Sequence, residues 1–136
     1  MLSGNTDKRF DGPGPDAQYL RALSEGRFEL QHCDDCASVN FPPALVCRAC
    51  GSPRLMWKVS SGAGVVYSTT TVRDRAGDYN VAIVELEGGA RMMSRVDSVA
   101  PEAVRIGQRV MARIVQGPEQ AEEPFVVFTP KGGAAR

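Results

Sequence analysis

The chain has 136 residues, 43% hydrophobic and 24% charged, with 16 Lys and Arg against 16 Asp and Glu for a formal net charge of zero. That size holds one compact domain or two small ones sharing an interface, and a neutral chain lacks the basic excess that draws proteins to nucleic acid or anionic membranes irrespective of sequence. No apolar run approaches the roughly 18 residues of a membrane helix, and Met1 to Phe10 is polar with no secretory core, so a soluble, cytoplasmic protein with reduced cysteines is expected.

In chain order, a Gly- and Pro-rich stretch over residues 1–14 reads as a flexible lead. A short amphipathic helix is expected over residues 15–26. Pro15 suits its first position, Asp16 suits the positive end of the helix dipole, and Tyr19, Leu20 and Leu23 form one apolar stripe ending near Gly26. So few turns are marginal alone, so the stripe predicts docking on this chain or on a partner subunit.

Residues 27–60 read as a metal-knotted ribbon. Phe28 and Leu30 alternate with polar neighbours, as in a strand, and lead into Cys33 and Cys36, followed by Cys47 and Cys50. These are the four cysteines of the chain, arranged as two C-x-x-C pairs. Each pair aims two thiolates at one point, and two pairs complete a closed tetrahedral site, with no open position for chemistry. Disulfides need an oxidising compartment, and a redox C-x-x-C needs one pair opening a helix after a strand. Tetrahedral sulfur suits iron as well as zinc; structural Zn²⁺ is the expectation. His32, beside Cys33, reads as a bystander, because four thiolates already saturate the ion. Between the knuckles, Phe41-Pro42-Pro43-Ala44-Leu45-Val46 is a stiff apolar loop, either a cap over the metal or an exposed docking patch. Arg48, Arg54 and Lys58 are expected to offset the thiolate charge.

Residues 61–130 turn to β. Val65 to Val72 is rich in Val, Tyr and Thr, Tyr79 to Leu86 is nearly all apolar, and Gly88-Gly89 reads as a tight hairpin into Arg91 to Val96. Pro101 to Gly107 reads as a turn or short helix. Arg109 to Val115 and Phe125 to Thr129 follow as strands, joined by the polar segment Gly117 to Pro124. Five short strands with an insert after the third predict a small closed Greek-key barrel of the OB type, with an open sandwich as the rival. Residues 131–136 read as a flexible tail. The fold expected is thus mainly β: an N-terminal helix, a zinc ribbon and a five-stranded OB-fold barrel.

No catalytic residues are expected. The chain lacks the nucleophile elbow, the phosphate-binding loop and the H-E-x-x-H zinc motif, it has one histidine, and its thiols are committed to metal. Glu85 and Glu87, two apart, read as a solvated strand face rather than an acid and base pair.

Several segments then fall in a telling order. They are Gly26-Arg27-Phe28-Glu29-Leu30-Gln31-His32-Cys33, Cys36, Phe41-Pro42-Pro43, Cys47-Arg48-Ala49-Cys50-Gly51-Ser52, Gly62-Ala63-Gly64-Val65-Val66-Tyr67-Ser68, Val84-Glu85-Leu86 and Val104-Arg105-Ile106-Gly107. From about Tyr19 to Phe128 the chain resembles the family of small proteins in which a rubredoxin-like zinc ribbon precedes an OB-fold, accessory subunits of thiolases and other acyl-CoA enzymes. The resemblance implies a non-catalytic zinc-binding subunit of a thiolase-like acyl-CoA enzyme complex, supporting assembly and acyl-CoA binding, with Cys33, Cys36, Cys47 and Cys50 as the metal ligands. It implies a hetero-oligomer with a catalytic partner subunit, with coenzyme A at the interface.

Two binding readings draw on the arginines on or near the barrel strands: Arg73, Arg75, Arg91, Arg95, Arg109 and Arg113. Guanidinium forks suit phosphate oxygens, so Arg73, Arg91 and Arg95 are the expected contacts to the phosphates of coenzyme A. The alternative is a single-stranded nucleic-acid-binding module, which would pair a basic groove with stacking aromatics. Of the barrel aromatics, Tyr67 and Tyr79 are open to that role, while Phe125 and Phe128 read as core.

Overall fold

The computed structural model describes residues 14–116 and 123–131. Residues 1–13 of the expected lead, 117–122 of the polar connection and 132–136 of the expected tail lie outside the described residues. Helix α1 spans Pro15–Ser24, with proline at its start and Asp16 in its first turn. It stops because Gly26 takes φ +86°, letting Gly26 N–H donate to Leu23 O at 2.9 Å and Arg27 N–H to Ala22 O at 2.8 Å. Those two bonds satisfy carbonyls that the helix end would otherwise leave bare.

Three antiparallel strands make the ribbon sheet: β1 Glu29–Cys33, β2 Val39–Asn40 and β3 Leu55–Val59, in the order β2-β1-β3. The barrel strands are β4 Ala63–Val72, β5 Tyr79–Glu85, β6 Arg91–Ser94, β7 Arg109–Val115 and β8 Phe125–Pro130, in the order β6-β5-β4-β7-β8. β4 is the long strand, pairing with β5 along its length and with β7 at its start, around a bulge between Val66 and Ser68. All five expected strands are present, and Pro101–Ala103 is a short 3₁₀ turn.

Two expectations need correction. The Gly88-Gly89 hairpin is a longer loop: Glu85 pairs with Arg91, Leu86 N–H donates to Ala90 O at 2.7 Å, and Glu87–Gly89 forms a 3₁₀ turn between them. Leu86 and Ala90 are both buried, so the loop is held by its own apolar feet. The barrel is also not closed by a continuous ladder. Its outer strands β6 and β8 meet through one parallel bridge, Val96 with Phe128, where Phe128 N–H donates to Arg95 O at 3.0 Å and Asp97 N–H to Phe128 O at 2.7 Å. The result is the partly open OB barrel.

One apolar cluster runs through every part. Leu23 of α1, Phe28 and Leu30 of the ribbon, and Val66, Val84, Val110, Val126 and Phe128 of the barrel are all buried in it. Tyr19 sets edge-on contacts with Phe28 and Phe41, at 6.4 and 5.6 Å between ring centres, and stacks on Trp57 at 6.5 Å. At the far end of the helix, Gln116 Nε2 donates to Leu23 O at 2.9 Å. The helix therefore docks on its own chain. Gly88 seats the barrel loop against the ribbon: a Cβ there would lie 2.1 Å from Val39 Cγ2, and its φ is +69°.

Because helix, ribbon and barrel share one core, Leu23→Ala is expected to destabilise all three by about 2–5 kcal/mol. Thermal unfolding followed by circular dichroism and by Trp57 fluorescence should shift together; a barrel transition left unmoved would refute the shared core.

Candidate metal centre and barrel face

The two knuckles have the same backbone. Cys33 N–H donates to Ser38 O and Ala37 N–H to Cys33 O, at 2.9 and 3.0 Å; Cys47 N–H donates to Ser52 O and Gly51 N–H to Cys47 O, both at 2.8 Å. Four residues after the leading cysteine, each turn needs the left-handed region, occupied by Gly51 at φ +81° and by Ala37 at φ +66°. Ala37 accepts about 1 kcal/mol of Cβ crowding there.

These turns bring the four sulfurs within 4.8 Å of one another. Cys36 and Cys47 stand 3.6 Å apart and Cys33 and Cys50 3.7 Å, each pair linking one knuckle to the other. A tetrahedron with zinc–sulfur bonds of about 2.3 Å has edges of about 3.8 Å, so the cage fits the ion. All four thiols are free. The zinc belongs to structure, because the cage leaves no vacant corner for substrate.

The surroundings of each thiol show how the cage is supported. The Asn40 amide, 3.5 Å from Cys47 Sγ, does most to hold that thiol down to about 6, against desolvation and with help from the Cys50 and Ala49 N–H groups. Ser38 lowers Cys36 through its hydroxyl and its backbone. Cys50 receives a lowering contact from the Ser52 backbone, but desolvation and its three sulfur neighbours push it up to about 12. Four thiolates cannot share this volume unaided; a divalent ion reverses the balance and deprotonates them.

Asn40 is the functional residue that sequence reasoning missed. It is buried, and its Oδ1 also accepts Arg48 N–H at 2.9 Å, so one amide ties β2 to the second knuckle. Gln31 plays the same part for the proline loop, donating to Ala44 O and accepting from Ala44 N–H at 2.9 and 2.8 Å. That loop is divided: Phe41 packs on the core, while Leu45 and Val46 are exposed. Arg48 reaches the carbonyls of Pro42 and Pro43, and Arg54 pairs with Asp35 at 3.1 Å. Their charges are thus spent on loop carbonyls and a carboxylate, with no bond to sulfur. His32 stands outside the sulfur cage, its Nε2 3.9 Å from Glu87.

The three arginines expected at phosphate are not brought together. Arg73 lies past the Tyr79 end of β5, bonded to Asp78, while Arg91 faces Glu85 at the other end, about 20 Å away at strand spacing. Arg91 pairs with Glu85 at 3.7 Å and lies 3.8 Å over the Tyr67 ring; Arg95 pairs with Asp97 at 2.7 Å and lies 5.5 Å over Phe125. Arg113 also reaches Asp97, at 3.3 Å. Phe128 is core as expected, but Phe125 is 41% exposed, because β8 opens at the barrel rim. Between Arg91 and Arg95 stands Met93, 71% exposed, and nearby Tyr67 is 48% exposed. Glu87 accepts from the Ser60 hydroxyl at 2.8 Å, and Glu85 serves Arg91, so the two glutamates have separate structural partners. Among the described residues no helix is long and apolar enough to cross a membrane.

Two family models match the chain: the rubredoxin-like zinc ribbon domain of ChsH2 over residues 21–55, and the C-terminal OB-fold domain of ChsH2 over residues 57–115. The chain is 29% identical over 119 residues to a probable enoyl-CoA hydratase alpha subunit of Thermomonospora curvata, covering 84% of this chain but 37% of that protein. The chain thus spans little more than a third of that relative's length. It is also 29% identical over 103 residues to a DUF35 domain-containing scaffold protein of Methanocaldococcus jannaschii, covering 71% of this chain and 73% of the scaffold protein. Among solved structures, a chain of an Ltp2-ChsH2(DUF35) aldolase matches with a TM-score of 0.73 at 28% identity, over 88% of this chain and 97% of that one. A DUF35 protein from Sulfolobus solfataricus matches with a TM-score of 0.59 at 16% identity, over 91% of each chain, a likeness of fold alone.

Replacing Asn40 with alanine removes the amide beside Cys47 while leaving all four sulfurs. Zinc affinity, measured by competition with a chromogenic chelator, is expected to fall about 10- to 100-fold; an unchanged affinity would show that the cage needs no such support.

Proposed function

We propose, from the premise that this chain belongs to the ChsH2 or DUF35 family, in which a rubredoxin-like zinc ribbon precedes an OB-fold, that it is a non-catalytic accessory subunit of an acyl-CoA enzyme complex. The partner on this reading is a thiolase-like or related acyl-CoA enzyme, and the complex is cytoplasmic. The named relatives support an acyl-CoA setting: one is a probable enoyl-CoA hydratase subunit, one a scaffold protein, and one a chain of an aldolase assembly. Activity on this reading requires both chains, because among its described residues this one offers a metal cage with no open ligand position and no activated nucleophile.

The observation that carries the reading is the outer face of the barrel. Tyr67, Met93 and Phe125 are exposed there, with Arg91 and Arg95 lying over the two rings. Aromatic, methionine and arginine side chains together are the composition of an interface core, and an exposed apolar group of this kind marks a contact. On this reading the catalytic subunit rests on that face, and the four cysteines hold the zinc that keeps the ribbon stiff beside it. Of the three arginines offered to coenzyme A phosphates, Arg91 is the one to test. Its carboxylate partner is held at 3.7 Å, against 2.7 Å for Arg95, so it is the more easily released to an incoming phosphate.

The alternative of single-stranded nucleic-acid binding gains from the exposure of Tyr67 and Phe125, since bases stack on such rings. A gel shift against single-stranded DNA and RNA across a salt series separates the two readings, because a true binder must release counterions.

Co-purification from the native source is expected to yield an acyl-CoA enzyme subunit in fixed ratio. Met93→Asp should lower recovery of that partner by about tenfold or more, with zinc content and unfolding temperature unchanged. Full turnover by the partner alone would defeat the accessory role. In the intact complex, Arg91→Ala is expected to weaken coenzyme A binding by about tenfold, the loss of one charge-assisted contact; calorimetry showing equal affinity would remove Arg91 from the site.

A further inference from the structure

Strand β3 is the outer strand of the ribbon sheet and pairs with β1 on one side only. Its register fixes which backbone groups are already used. Ser60 N–H donates to Phe28 O at 2.8 Å and Asp34 N–H to Arg54 O at 2.9 Å, one at each end of the ladder. The bonded pairs are therefore the even-numbered ones, Leu30 with Lys58 and His32 with Met56. The odd-numbered residues of β1 face β2 instead, as the bond from Cys33 N–H to Ser38 O requires. On β3, the N–H and C=O groups of Leu55, Trp57 and Val59 consequently point away from β1 to the free edge. Leu55 N–H closes on Pro53 O at 2.9 Å; the outward groups of Trp57 and Val59 have no backbone partner among the described residues.

Sheet edges are normally blunted by short length, by charged side chains, above all lysine, by proline or by a bulge. This five-residue strand has no proline and no bulge; Lys58 is its single charge, and Met56 and Val59 are 50% and 64% exposed. We propose that the β3 edge pairs with the same edge of a second copy of this chain, antiparallel about a twofold axis at Trp57, joining two ribbon sheets into one.

A second copy fits because the edge is complementary to itself in that register. Trp57 meets Trp57 and exchanges both bonds. Each Val59 N–H meets the Leu55 carbonyl of the other copy, where the turned-back Leu55 N–H leaves no competing donor. Met56 lies across from Lys58 of the other copy, so the aliphatic stem of the lysine covers the methionine and the two lysines stay apart. Centring one residue later, on Lys58, would set lysine directly against lysine. Trp57 is already fixed by Tyr19 and by a bond from its Nε1 to Gln18, so little side-chain freedom remains to be lost. The strand is short and the area small, so the association is weak.

Sedimentation velocity of the zinc-loaded full chain between about 10 and 500 µM should show a monomer–dimer equilibrium with a Kd of about 100 µM, as expected for an interface below standard size. Met56→Glu sets a carboxylate against Lys58 on both sides of the axis and is expected to tighten the dimer about fivefold at low salt, while Met56→Lys weakens it by a similar factor. Val59→Pro deletes an N–H that β1 does not use and should abolish dimerisation while the unfolding temperature stays near that of the parent. A chain that remains monomeric at the highest concentration, or Met56→Glu and Met56→Lys moving the equilibrium the same way, overturns the proposal. Failure of the acyl-CoA partner to co-purify would leave it standing, since the edge is separate from the barrel face.

Discussion

Four sulfurs held within 4.8 Å of one another set the geometry from which the rest of the chain takes its bearings. The ribbon buries little apolar side chain of its own, and its β2 is two residues long, so hydrogen bonds and burial alone would leave it marginal. The metal cage replaces the missing core, and the free energy of binding the ion becomes folding free energy. Cys33 is the last residue of β1, so the orientation of its thiol fixes the strand, and the strand places Leu30 and Phe28 in the common cluster. Through Phe28 and Tyr19 the constraint reaches the helix, and through Leu30 it reaches the barrel. A change at the cage is therefore felt well beyond it, because a close-packed core transmits strain.

Where the core ends, buried amides take over. Gln31 grips the proline loop, Asn40 joins β2 to the second knuckle, and Asn80 ties β4 and β5 to the segment after β6. Asn80 Oδ1 accepts Val96 N–H at 3.0 Å, and its Nδ2 donates to Thr69 Oγ1 and Thr70 O at 2.6 and 3.2 Å. It stands beside the single parallel bridge, where strand pairing between β6 and β8 gives out. Each amide does what no apolar residue can: it satisfies backbone groups on a neighbouring segment that would otherwise be buried without partners. The irregular segments within the ribbon and within the barrel are held by named bonds, so they keep a single geometry.

The barrel strands were legible in the sequence because they are half-buried and rich in Val, Thr and Tyr, which is the pattern that period-two reading detects. Of the ribbon strands only β1 was, through the alternation of Phe28 and Leu30 with polar neighbours. Leu55-Met56-Trp57-Lys58-Val59 has no polar alternation, since both faces of this outer strand are partly exposed and no residue in it is fully buried. The cysteines announced themselves by spacing. Asn40, seven positions before Cys47 and on a two-residue strand, left no periodic trace. Arg73, Arg91 and Arg95 looked like one cluster because a sequence carries no record of distance along β5. Phe125 looked like core because its strand is apolar, yet it opens at the rim, and the three residues behind it hold the interior.

The zero net charge has a spatial counterpart. Arg73 sits on Asp78, Arg91 by Glu85, Arg95 and Arg113 on Asp97, Arg54 on Asp35, and Arg27 between Glu25 and Glu29. Exposed pairs of this kind each add about 0–1 kcal/mol of stability, too little to explain so regular a pattern as a stabilising device. Their larger effect is to keep the surface potential low near the apolar groups that lie among them. A polyanion approaching such a surface must displace a carboxylate at each of these arginines, which offsets most of its Coulomb gain there. A protein face with matching aromatic and apolar groups displaces only water. Around Met93 the balance of forces therefore favours burial of apolar area, with the neighbouring arginines setting orientation and with Arg91, its carboxylate at 3.7 Å, as the least costly one to redirect.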